Sequence, residues 1–389
     1  MRRGALWSTL AMLALLIGVG TSTAQATAGA AASHVNCGQT ITTDTKLDSD
    51  LVNCPSNGIV IGADNITLDL NGHVIDGDGT EFTACPADEP CDIGVASLEH
   101  TGVTIKGGRV GEFGVGVLVV GASDSRVTQL AVSNNLFLGL IVAGASHSEI
   151  DRVAASKNGL TTDQAGIGVF DSHDLTIRRN DVFENGDIGL FIVGLDDSRI
   201  EANSLSSNPE AGIILEGSGN ELTDNRVSNG QDAVIVFGDA NTVARNVLFG
   251  TGSCPGECGF GVSLEGGTDN VIDGNAVVRF HQAGIRIASF DPVVPTVGNT
   301  VRENLIQGSS VDGVLVESTA ADTLVERNIA IGAGDDGIDV DSAATTVTRN
   351  LAMRNGDLGI EAVAGVTDGE GNKAHANGNP AQCTTVSCN

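Results

Sequence analysis

A short sequence pattern that returns about every two dozen residues is the feature that most constrains how this chain folds. Each copy has a polar turn, then a small residue that is usually glycine, then two aliphatic residues separated by one variable position, as in GVGVLVV, IGLFIV and DGVLVE. The small residue occupies positions 116, 139, 166, 189, 212, 233, 261, 284, 313, 337 and 359. A repeat of about 20 to 50 residues is typical of a solenoid, in which each repeat buries its apolar side by stacking on its neighbours.

A series of asparagines repeats in phase with the first pattern. Its members are Asn180, Asn203, Asn225, Asn246, Asn275, Asn304, Asn328 and Asn350. A coil of about 22 residues is too short for a pair of helices and fits three short strands, with a rise of about 4.8 Å per coil. Because an asparagine side chain both donates and accepts hydrogen bonds, stacked copies would bond the amides above and below. The sequence predicts an all-β solenoid of about 12 to 13 coils, with roughly 22 to 24 residues per coil.

These two repeats resemble those of the right-handed parallel β-helix repeat superfamily, which includes pectate lyases and polygalacturonases. The resemblance covers roughly residues 60–375 and implies a right-handed parallel β-helix, while it specifies the activity only weakly. We therefore divide the chain into a signal peptide at 1–26, an N-terminal arm and cap at 27–59, the β-helix at 60–375 and a C-terminal cap at 376–389.

The first 26 residues have the features of a secretory signal peptide. They contain two arginines, an apolar run of modest length and the end Ala-Gln-Ala, which together predict cleavage after Ala26. No other apolar stretch approaches about 18 residues, so the sequence predicts no membrane span. We expect a secreted, extracellular protein.

Eight cysteines follow this segment and fall into four close couples. The couples are Cys37 with Cys54, Cys85 with Cys91, Cys254 with Cys258, and Cys383 with Cys388. An even number of cysteines in an exported chain indicates disulfides, and a solenoid keeps sequence neighbours together. The outer couples are expected to staple the two ends. Zinc is the alternative for the third couple, although no second pair with a nearby histidine shares its coil.

Acidic residues outnumber basic ones by 49 to 20, which gives a formal net charge of −29. This charge excludes a nucleic-acid partner, because phosphate backbones are bound by lysine and arginine. It fits a soluble exported protein, and it also fits calcium, which takes about six to eight oxygen ligands. The sequence specifies no cofactor with certainty, and calcium is the candidate ion. A polyanionic substrate would be repelled unless a cation or a local basic patch intervened.

Two absences narrow the ligand. Trp7 is the only tryptophan and there is no tyrosine, so the rings on which most neutral-sugar sites stack are missing. A family of periplasmic β-helix proteins that helps assemble copper centres shares this kind of repeat. Three methionines and seven dispersed histidines form no cluster of soft ligands here, which disfavours copper handling.

The variable position between the two aliphatic residues points outward, so aligned repeats show one exposed face of the solenoid. From 116 to 237 this face is mainly apolar, and from 261 to 361 it is mainly charged. The apolar strip consists of Leu118, Ile141, Phe170, Phe191, Ile214, Ile235 and Phe237. Such a strip is larger than a monomer usually exposes. Either a loop or the N-terminal arm covers it, or it binds a second chain or another apolar partner.

The charged half of this face holds the candidate catalytic residues. GDDGIDV at 334–340 resembles the paired-aspartate motif of polygalacturonases, and VDG at 311–313 stands where that family has its other aspartate. The resemblance implies that Asp312, Asp335 and Asp336 act as acid and base on a glycosidic bond, which inverting hydrolysis does across about 6.5 to 9.5 Å. The glycine-histidine-glycine and arginine-isoleucine-lysine motifs of that family are absent. NGDIGL at 185–190 repeats the same turn, so solvated turn aspartates are the alternative.

A lyase or epimerase would use the same residues differently. Asp335, Asp339 and Asp341 would hold calcium against a uronate carboxylate, whose neutralisation acidifies the neighbouring proton. Arg286 would then remove that proton, and His281 is a further candidate catalytic residue. The candidate substrate contacts are Arg279, Glu265, Glu317 and Glu361. No lysine lies in this sector, and acidic surroundings oppose the use of an arginine as a base.

Two functions are consistent with these patterns. The first is binding or processing of an acidic, uronate-containing polysaccharide with calcium, by an enzyme of the lyase, epimerase or glycoside hydrolase type if the protein is catalytic. The second is a noncatalytic extracellular scaffold that uses the apolar strip, including for self-association. The expected partner is a polysaccharide or a component of the cell envelope.

Overall fold

The structure of the protein is a computed structural model. It describes residues 32–80, 92–159, 164–229, 231–250, 259–289 and 294–389. These residues form strands and turns, and no helix occurs among them. The predicted signal peptide and the couples Cys85 with Cys91 and Cys254 with Cys258 lie outside the described residues. Within the described ranges, no helix is long and apolar enough to cross a membrane.

The chain winds into a parallel β-solenoid of about 13 turns, which confirms the predicted all-β fold class. Most turns contribute one strand to each of three faces, which we call sheets 1, 2 and 3. Sheet 1 has 14 strands, and sheets 2 and 3 are joined into one 27-stranded sheet because two long strands run through both. Every pair of neighbouring strands is parallel, as the one-directional winding requires.

Sheet 1 carries the outward face on which the candidate site was predicted. Its strands are Gln39–Ile41, Ile59–Ile61, Ile93–Leu98, Val115–Val120, Leu138–Ala143, Ala165–His173, Ile188–Asp196, Ala211–Glu216, Asp232–Phe237, Val262–Leu264, Ile285–Ile287, Val314–Val316, Ile338–Val340 and Ile360–Ala362.

Sheets 2 and 3 share the strands Thr104–Gly111 and Arg126–Ser133. Sheet 2 also contains Ala32–Ser33, Thr45–Leu47, Thr67–Asp69, Glu149–Asp151, Thr176–Arg178, Arg199–Glu201, Glu221–Thr223, Thr242–Ala244, Val271–Asp273, Thr300–Arg302, Leu324–Glu326, Thr346–Thr348 and Thr367–Asp368. Sheet 3 also contains Leu51–Cys54, Val74–Gly77, Ala154–Ser156, Asp181–Phe183, Ser204–Ser206, Arg226–Asn229, Val247–Gly250, Ala276–Val278, Leu305–Gln307, Ile329–Ile331, Leu351–Met353 and Lys373–His375. A small separate sheet joins Gly267–Thr268, Thr296–Val297 and Ala320–Ala321.

The interior is a continuous stack of aliphatic side chains. In Ile338–Val340, for example, Ile338 and Val340 are fully buried and Asp339 between them points outward. The period of two along each strand therefore separates the core from the outer face. Gly337, just before this strand, shows why the repeat keeps a small residue, because an added Cβ would lie 2.4 Å from the Asn355 side chain and 2.6 Å from the Gly359 carbonyl oxygen.

The predicted asparagine stack is confirmed. From Asn180 to Asn372, each buried side chain donates to the side-chain oxygen of the next asparagine at 2.9 to 3.2 Å. Two further buried ladders, one from Asn135 to Asn208 and one from Asn220 to Asn299, were not predicted. These ladders satisfy the backbone groups of turns that the core would otherwise leave unpaired.

Disulfides close near both ends of the solenoid, as predicted, between Cys37 and Cys54 and between Cys383 and Cys388. The strand Gln39–Ile41 already pairs with Ile59–Ile61, so the ladders of sheet 1 begin within the segment 27–59. At the other end the backbone of Cys383 pairs with that of Ile360, in the last sheet 1 strand, as an isolated parallel β-bridge.

Candidate functional site

The candidate site lies on the outward face of sheet 1, in the C-terminal half of the solenoid. Parallel register places Ser263 beside Arg286, Arg286 beside Leu315, and Leu315 beside Asp339. Glu361 follows Asp339 on the last strand. The sequence alignment of the repeats therefore placed this column of outward residues in its observed order.

Three aspartates form a compact group that we call the acidic cluster: Asp312, Asp336 and Asp339. Each offers a carboxylate oxygen, and the three oxygens lie within 4.8 Å of one another. A second group shares Asp336 and adds Asp335 and Asp357. None of these side chains forms an ion pair with a lysine, arginine or histidine in the part of the chain that the structure describes.

The backbone positions two members of the acidic cluster. Asp312 and Asp336 each stand just before the glycine of their coil, and both are buried. The Asp312 carboxylate accepts the backbone N–H of Asp336 at 3.2 Å, and the Asp336 carboxylate accepts the backbone N–H of Leu358 at 2.6 Å. The predicted alternative, that these are solvated turn aspartates, is wrong for this pair, because each is buried and bonded to the following coil.

Asp232 shows that this bonding is a structural use of the position. It stands in the same place of an earlier coil, and it accepts the backbone N–H groups of Gly259 at 3.0 Å and Phe260 at 2.8 Å. Asp232 is in neither of the two groups of carboxylates around Asp336. The special property of the acidic cluster is therefore the proximity of several carboxylates, and Asp339 contributes to it from the strand itself.

Burial and mutual repulsion raise the pKa values throughout the acidic cluster. Burial is the main cause at all three residues, and it raises the pKa of Asp312 to about 6, that of Asp339 to about 7 and that of Asp336 to about 8. At Asp336 a hydrogen bond with Glu361 adds to this effect, and at Asp339 the nearby negative charge of Asp312 does. The cluster therefore retains protons at neutral pH unless a cation compensates its charge.

The donor set of the acidic cluster fits calcium. Calcium binds about six to eight oxygen atoms at 2.3 to 2.6 Å, so two ligands on opposite sides of the ion are about 5 Å apart. Asp339, one of the predicted ligands, belongs to the cluster, and Asp335 belongs to the adjoining group. Asp341 joins neither group of described residues, whereas Asp312, Asp336 and Asp357 do so without having been predicted as ligands.

The contacts of Arg286 oppose its predicted use as a base. Its Nε donates to Glu317 at 2.6 Å and its Nη1 lies 3.5 Å from Glu265 and 3.3 Å from Ser263. The guanidinium also lies over the Phe260 ring, 5.1 Å from its centroid. Arg286, Glu265 and Glu317 hold one another, so the structure does not present the two glutamates as free substrate contacts either.

Of the three remaining predicted residues, only Glu361 is associated with the acidic cluster. Arg279 follows the sheet 3 strand Ala276–Val278 and is exposed at the turn after it. His281 is half-buried, and its Nδ1 atom has no hydrogen-bond partner among the described residues. Glu361 does lie near the cluster, because it follows Asp339 in register and contributes to the raised pKa of Asp336.

The apolar strip of sheet 1 is less open than predicted. Leu118 and Ile235 are buried, with exposed fractions of 5% and 1%, and the other five members are half-buried. Leu118 packs with Ile93 and Ala96 in a small cluster on this face. Phe170 and Phe191 meet edge to face, with ring centroids 5.8 Å apart. The strip is thus interrupted by covered residues, and its predicted role in self-association stays a prediction.

Asp357 is the functional candidate that sequence reasoning missed. It stands two residues before the glycine of its coil, in NGDLGI, just as Asp335 does in GDDGI. The signal was therefore present as an identical turn position one coil later.

Comparison with known proteins identifies the fold. The family model described as right handed beta helix region matches residues 93–249, 189–352 and 252–389. No curated protein sequence matches the chain. Among solved structures, the tailspike protein of E. coli bacteriophage HK620 in complex with pentasaccharide is 11% identical, covers 90% of this chain and 73% of its own, and has a TM-score of 0.53.

Two other solved structures match the chain with lower TM-scores. Pectate lyase Pel9A is 12% identical, with 75% of this chain and 70% of that chain covered and a TM-score of 0.46. The A-module of mannuronan C-5 epimerase from Azotobacter vinelandii is 15% identical, with 76% and 77% covered and a TM-score of 0.39. At such identities these likenesses show the fold alone.

Proposed function

Since the chain belongs to the right-handed β-helix family, we propose that it is a secreted protein that binds an acidic polysaccharide through calcium held by the acidic cluster. The observation that supports this proposal is the set of three carboxylates, two buried and one half-buried, with oxygens within 4.8 Å of one another. No described basic side chain neutralises them.

Calcium offers a physical reason for this arrangement. Repulsion and burial raise the pKa values of all three carboxyls, so the cluster without an ion is costly when ionised. A divalent cation would replace the protons and compensate the charge. The exposed Asp335 and Glu361 border the cluster, where a bound ion would meet ligands from solvent.

A uronate is the ligand that such an ion would recruit. The net charge of −29 repels a polyanion from the protein surface in general. A calcium ion with coordination positions open to solvent would accept a sugar carboxylate and overcome this repulsion locally. The pentasaccharide in the tailspike complex supports carbohydrate as the class of ligand to test on this fold.

The geometry favours binding over catalysis. Inverting hydrolysis uses carboxyl groups about 6.5 to 9.5 Å apart to admit a water molecule, and oxygens within 4.8 Å of one another oppose that predicted mechanism. Asp312 and Asp336 also accept backbone N–H groups of the next coil. Arg286, the base that the lyase mechanism would use, already donates to Glu317 and Ser263.

Secretion is part of the same proposal. The disulfides Cys37–Cys54 and Cys383–Cys388 suit an oxidising compartment. The predicted signal peptide at 1–26 would deliver the chain to such a compartment.

Isothermal titration of calcium into the chelator-treated protein tests the proposal. Asp339→Asn is the informative variant, because Asp339 joins the cluster without accepting a backbone bond of the next coil, and we expect it to weaken calcium binding by at least about tenfold. Glu216→Gln is the matched control, since Glu216 is a half-buried outward carboxylate of sheet 1 remote from the acidic cluster in sequence. It should leave the affinity unchanged.

The same titrations are repeated with oligogalacturonate and oligoalginate, with and without calcium. We expect oligosaccharide binding only when calcium is present, and its loss in Asp339→Asn. Absence of calcium binding by the wild-type protein would refute the proposal. An unsaturated uronate product, detected by its ultraviolet absorbance, would show that the protein is a lyase instead of a binding protein.

A further inference from the structure

The outward face of sheet 3 changes character halfway along the solenoid. In the five consecutive strands from Val247–Gly250 to Leu351–Met353, nine of the ten outward residues at the paired positions are apolar, and Gln307 is the exception. We call these nine residues the apolar patch: Val247, Phe249, Ala276, Val278, Leu305, Ile329, Ile331, Leu351 and Met353.

The apolar patch is open to solvent. Leu305 and Ile329 are adjacent in register, and their exposed fractions of 41% and 37% place them among the most exposed large apolar residues of the described chain. The other members are half-buried, like Ala131 and Ala154 at equivalent positions earlier in the same sheet. The patch spans about 19 Å along the axis at about 4.8 Å per strand.

Apolar residues are concentrated in this half of the sheet. In the preceding strands the corresponding outward positions are mostly polar, for example Asp181, Ser204 and Ser206. A solenoid repeat alone does not require the change, because only the inward residue of each strand packs in the core. A contiguous exposed apolar surface of this kind marks an interaction site.

Cationic side chains border the patch on all four sides. At its N-terminal end Arg226 lies over the Phe249 ring, 4.7 Å from the centroid, and at its C-terminal end Lys373 follows Leu351 in register. The turns along the two long edges carry exposed arginines, which are Arg279 and Arg354 on one edge and Arg245, Arg327 and Arg349 on the other. On the second edge Arg245 pairs with Asp224, and Arg327 pairs with Glu303 of the same edge.

Several of these border cations have no acidic partner. Arg279, Arg349 and Arg354 make no ion pair with any described residue, although acidic residues outnumber basic ones by 49 to 20 in the chain. Unpaired arginines around an apolar surface on so acidic a protein indicate a partner that supplies the negative charges.

From this complementarity we propose that the apolar patch binds an anionic lipid surface. Aliphatic side chains would enter the boundary between head groups and acyl chains, and the bordering arginines and lysine would contact the lipid phosphates. A second copy of this chain fits less well, because face-to-face packing in the antiparallel orientation would set Arg279 and Arg354 of one copy against those of the other. The rest of the surface is acidic and would be repelled, so the protein would attach by this face only.

Vesicle co-sedimentation tests the proposal, with phosphatidylglycerol vesicles compared with phosphatidylcholine vesicles. EDTA is present throughout, so that calcium at the acidic cluster cannot bridge the protein to lipid. All proteins have the same chain length, so that residues 1–26 contribute equally. We expect the wild-type protein to prefer phosphatidylglycerol by at least about tenfold, with weaker binding as salt screens the arginines.

Two double variants separate the apolar and charged contributions. Leu305→Gln with Ile329→Gln should lower binding to phosphatidylglycerol by about tenfold, because it removes apolar contacts with the acyl chains. Glutamine is chosen because the neighbouring outward position already holds the exposed Gln307. Arg279→Gln with Arg354→Gln should lower binding and flatten its salt dependence. Ser204→Gln with Ser206→Gln, on the polar half of the same sheet, is the control and should bind like the wild type.

Circular dichroism and urea denaturation check that each variant is folded. This inference does not depend on the proposed function, because its assay contains no calcium. No binding to phosphatidylglycerol vesicles, or equal binding by the Leu305→Gln, Ile329→Gln variant, would overturn it. So would a wild-type dimer in sedimentation velocity that this variant dissociates, since the patch would then bind a second copy.

Discussion

At the scale of single residues, one position of the repeat serves two purposes. An aspartate just before the small residue of the repeat accepts a backbone N–H of the next coil, as Asp232, Asp312 and Asp336 all show. At Asp232 this is a structural hydrogen bond. At Asp312 and Asp336 the same bond holds two carboxylates one coil apart, where Asp339 completes the acidic cluster. An aspartate whose ordinary role is this backbone hydrogen bond can therefore also be a metal ligand where adjacent coils both carry it.

The raised pKa values of the acidic cluster predict how stability depends on pH. A carboxyl whose pKa is higher in the folded state binds more protons when folded, so stability is greatest below the unfolded pKa and falls as pH rises through the folded pKa. With folded values of about 6, 7 and 8 from an ordinary value of 3.8, the calcium-free protein should lose stability between about pH 4 and pH 8. Urea denaturation in EDTA across this range measures the loss.

Asp339→Asn should reverse part of this loss. Without calcium at pH 8 we expect the variant to be more stable than the wild type by on the order of 1 kcal/mol, after allowance for solvent screening of a partly exposed group. With saturating calcium the order should invert, because only the wild type keeps the full ligand set. If the variant is less stable than the wild type in EDTA at pH 8, burial and repulsion of the ionised Asp339 do not destabilise the calcium-free protein.

At the scale of the structural element, the asparagine ladders connect neighbouring coils. Asn225 donates to the Asn246 side chain at 3.0 Å and to the Ile200 carbonyl at 2.8 Å, while its own oxygen accepts the Asn203 backbone N–H at 2.9 Å. Each residue thus satisfies buried polar groups in three successive coils, which makes the ladder cooperative.

Asn225→Ala should therefore be strongly destabilising. The substitution removes the partner of the buried Asn203 backbone N–H, at about 1 to 3 kcal/mol, and one hydrogen bond each from the Asn203 side chain, which still donates to Ile177, and from the Ile200 carbonyl, at about 1 kcal/mol each. We expect a loss of at least about 3 kcal/mol in the free energy of unfolding, measured with urea. Ser204→Ala, at an exposed position of sheet 3, should change it by less than about 0.5 kcal/mol. Equal effects of the two substitutions would show that the ladder is not a source of stability.

The stacking of coils also explains which outward faces of the solenoid could be predicted from the sequence. The small residue of each repeat, usually glycine, shows where each sheet 1 strand begins. The outward residues from Ser263 to Glu361 could therefore be aligned correctly from the sequence alone. The apolar patch escaped notice because each strand of sheet 3 shows only two outward residues, as in Leu305–Gln307, too few to show a pattern alone. The pairing of Arg286 with Glu317 was also missed, because register places backbones but not the ends of long side chains.

At the scale of the whole molecule, the two candidate surfaces occupy different faces of the same coils. The acidic cluster lies at the outward side of sheet 1, and the apolar patch lies on sheet 3. In Leu305–Gln307 and Val314–Val316 one coil contributes to both faces. Attachment through sheet 3 would leave the acidic cluster free, so lipid binding and calcium-dependent polysaccharide binding are compatible on one chain.

The end disulfides predict a gradient of stability along the solenoid. Each coil contacts only its neighbours, so a change at one end should affect the adjacent coils and fade with distance. Replacing Cys37 and Cys54 with serine opens a loop with a sequence separation of 17 residues, at a cost of about 3 kcal/mol. The couple Cys383 and Cys388 has a separation of only 5 residues, and its loss should cost about 2 kcal/mol.

Hydrogen exchange measured peptide by peptide distinguishes a local from a global effect. In Cys37→Ser with Cys54→Ser we expect faster exchange in the first coils, such as Gln39–Ile41 and Ile59–Ile61, and unchanged exchange in Ala211–Glu216 at the centre. The C-terminal double variant should show the mirror image, with acceleration limited to the coils around Ile360–Ala362. Uniform acceleration along the chain in either variant would mean that the solenoid unfolds as one cooperative unit, and the disulfides would then stabilise the whole fold rather than its ends.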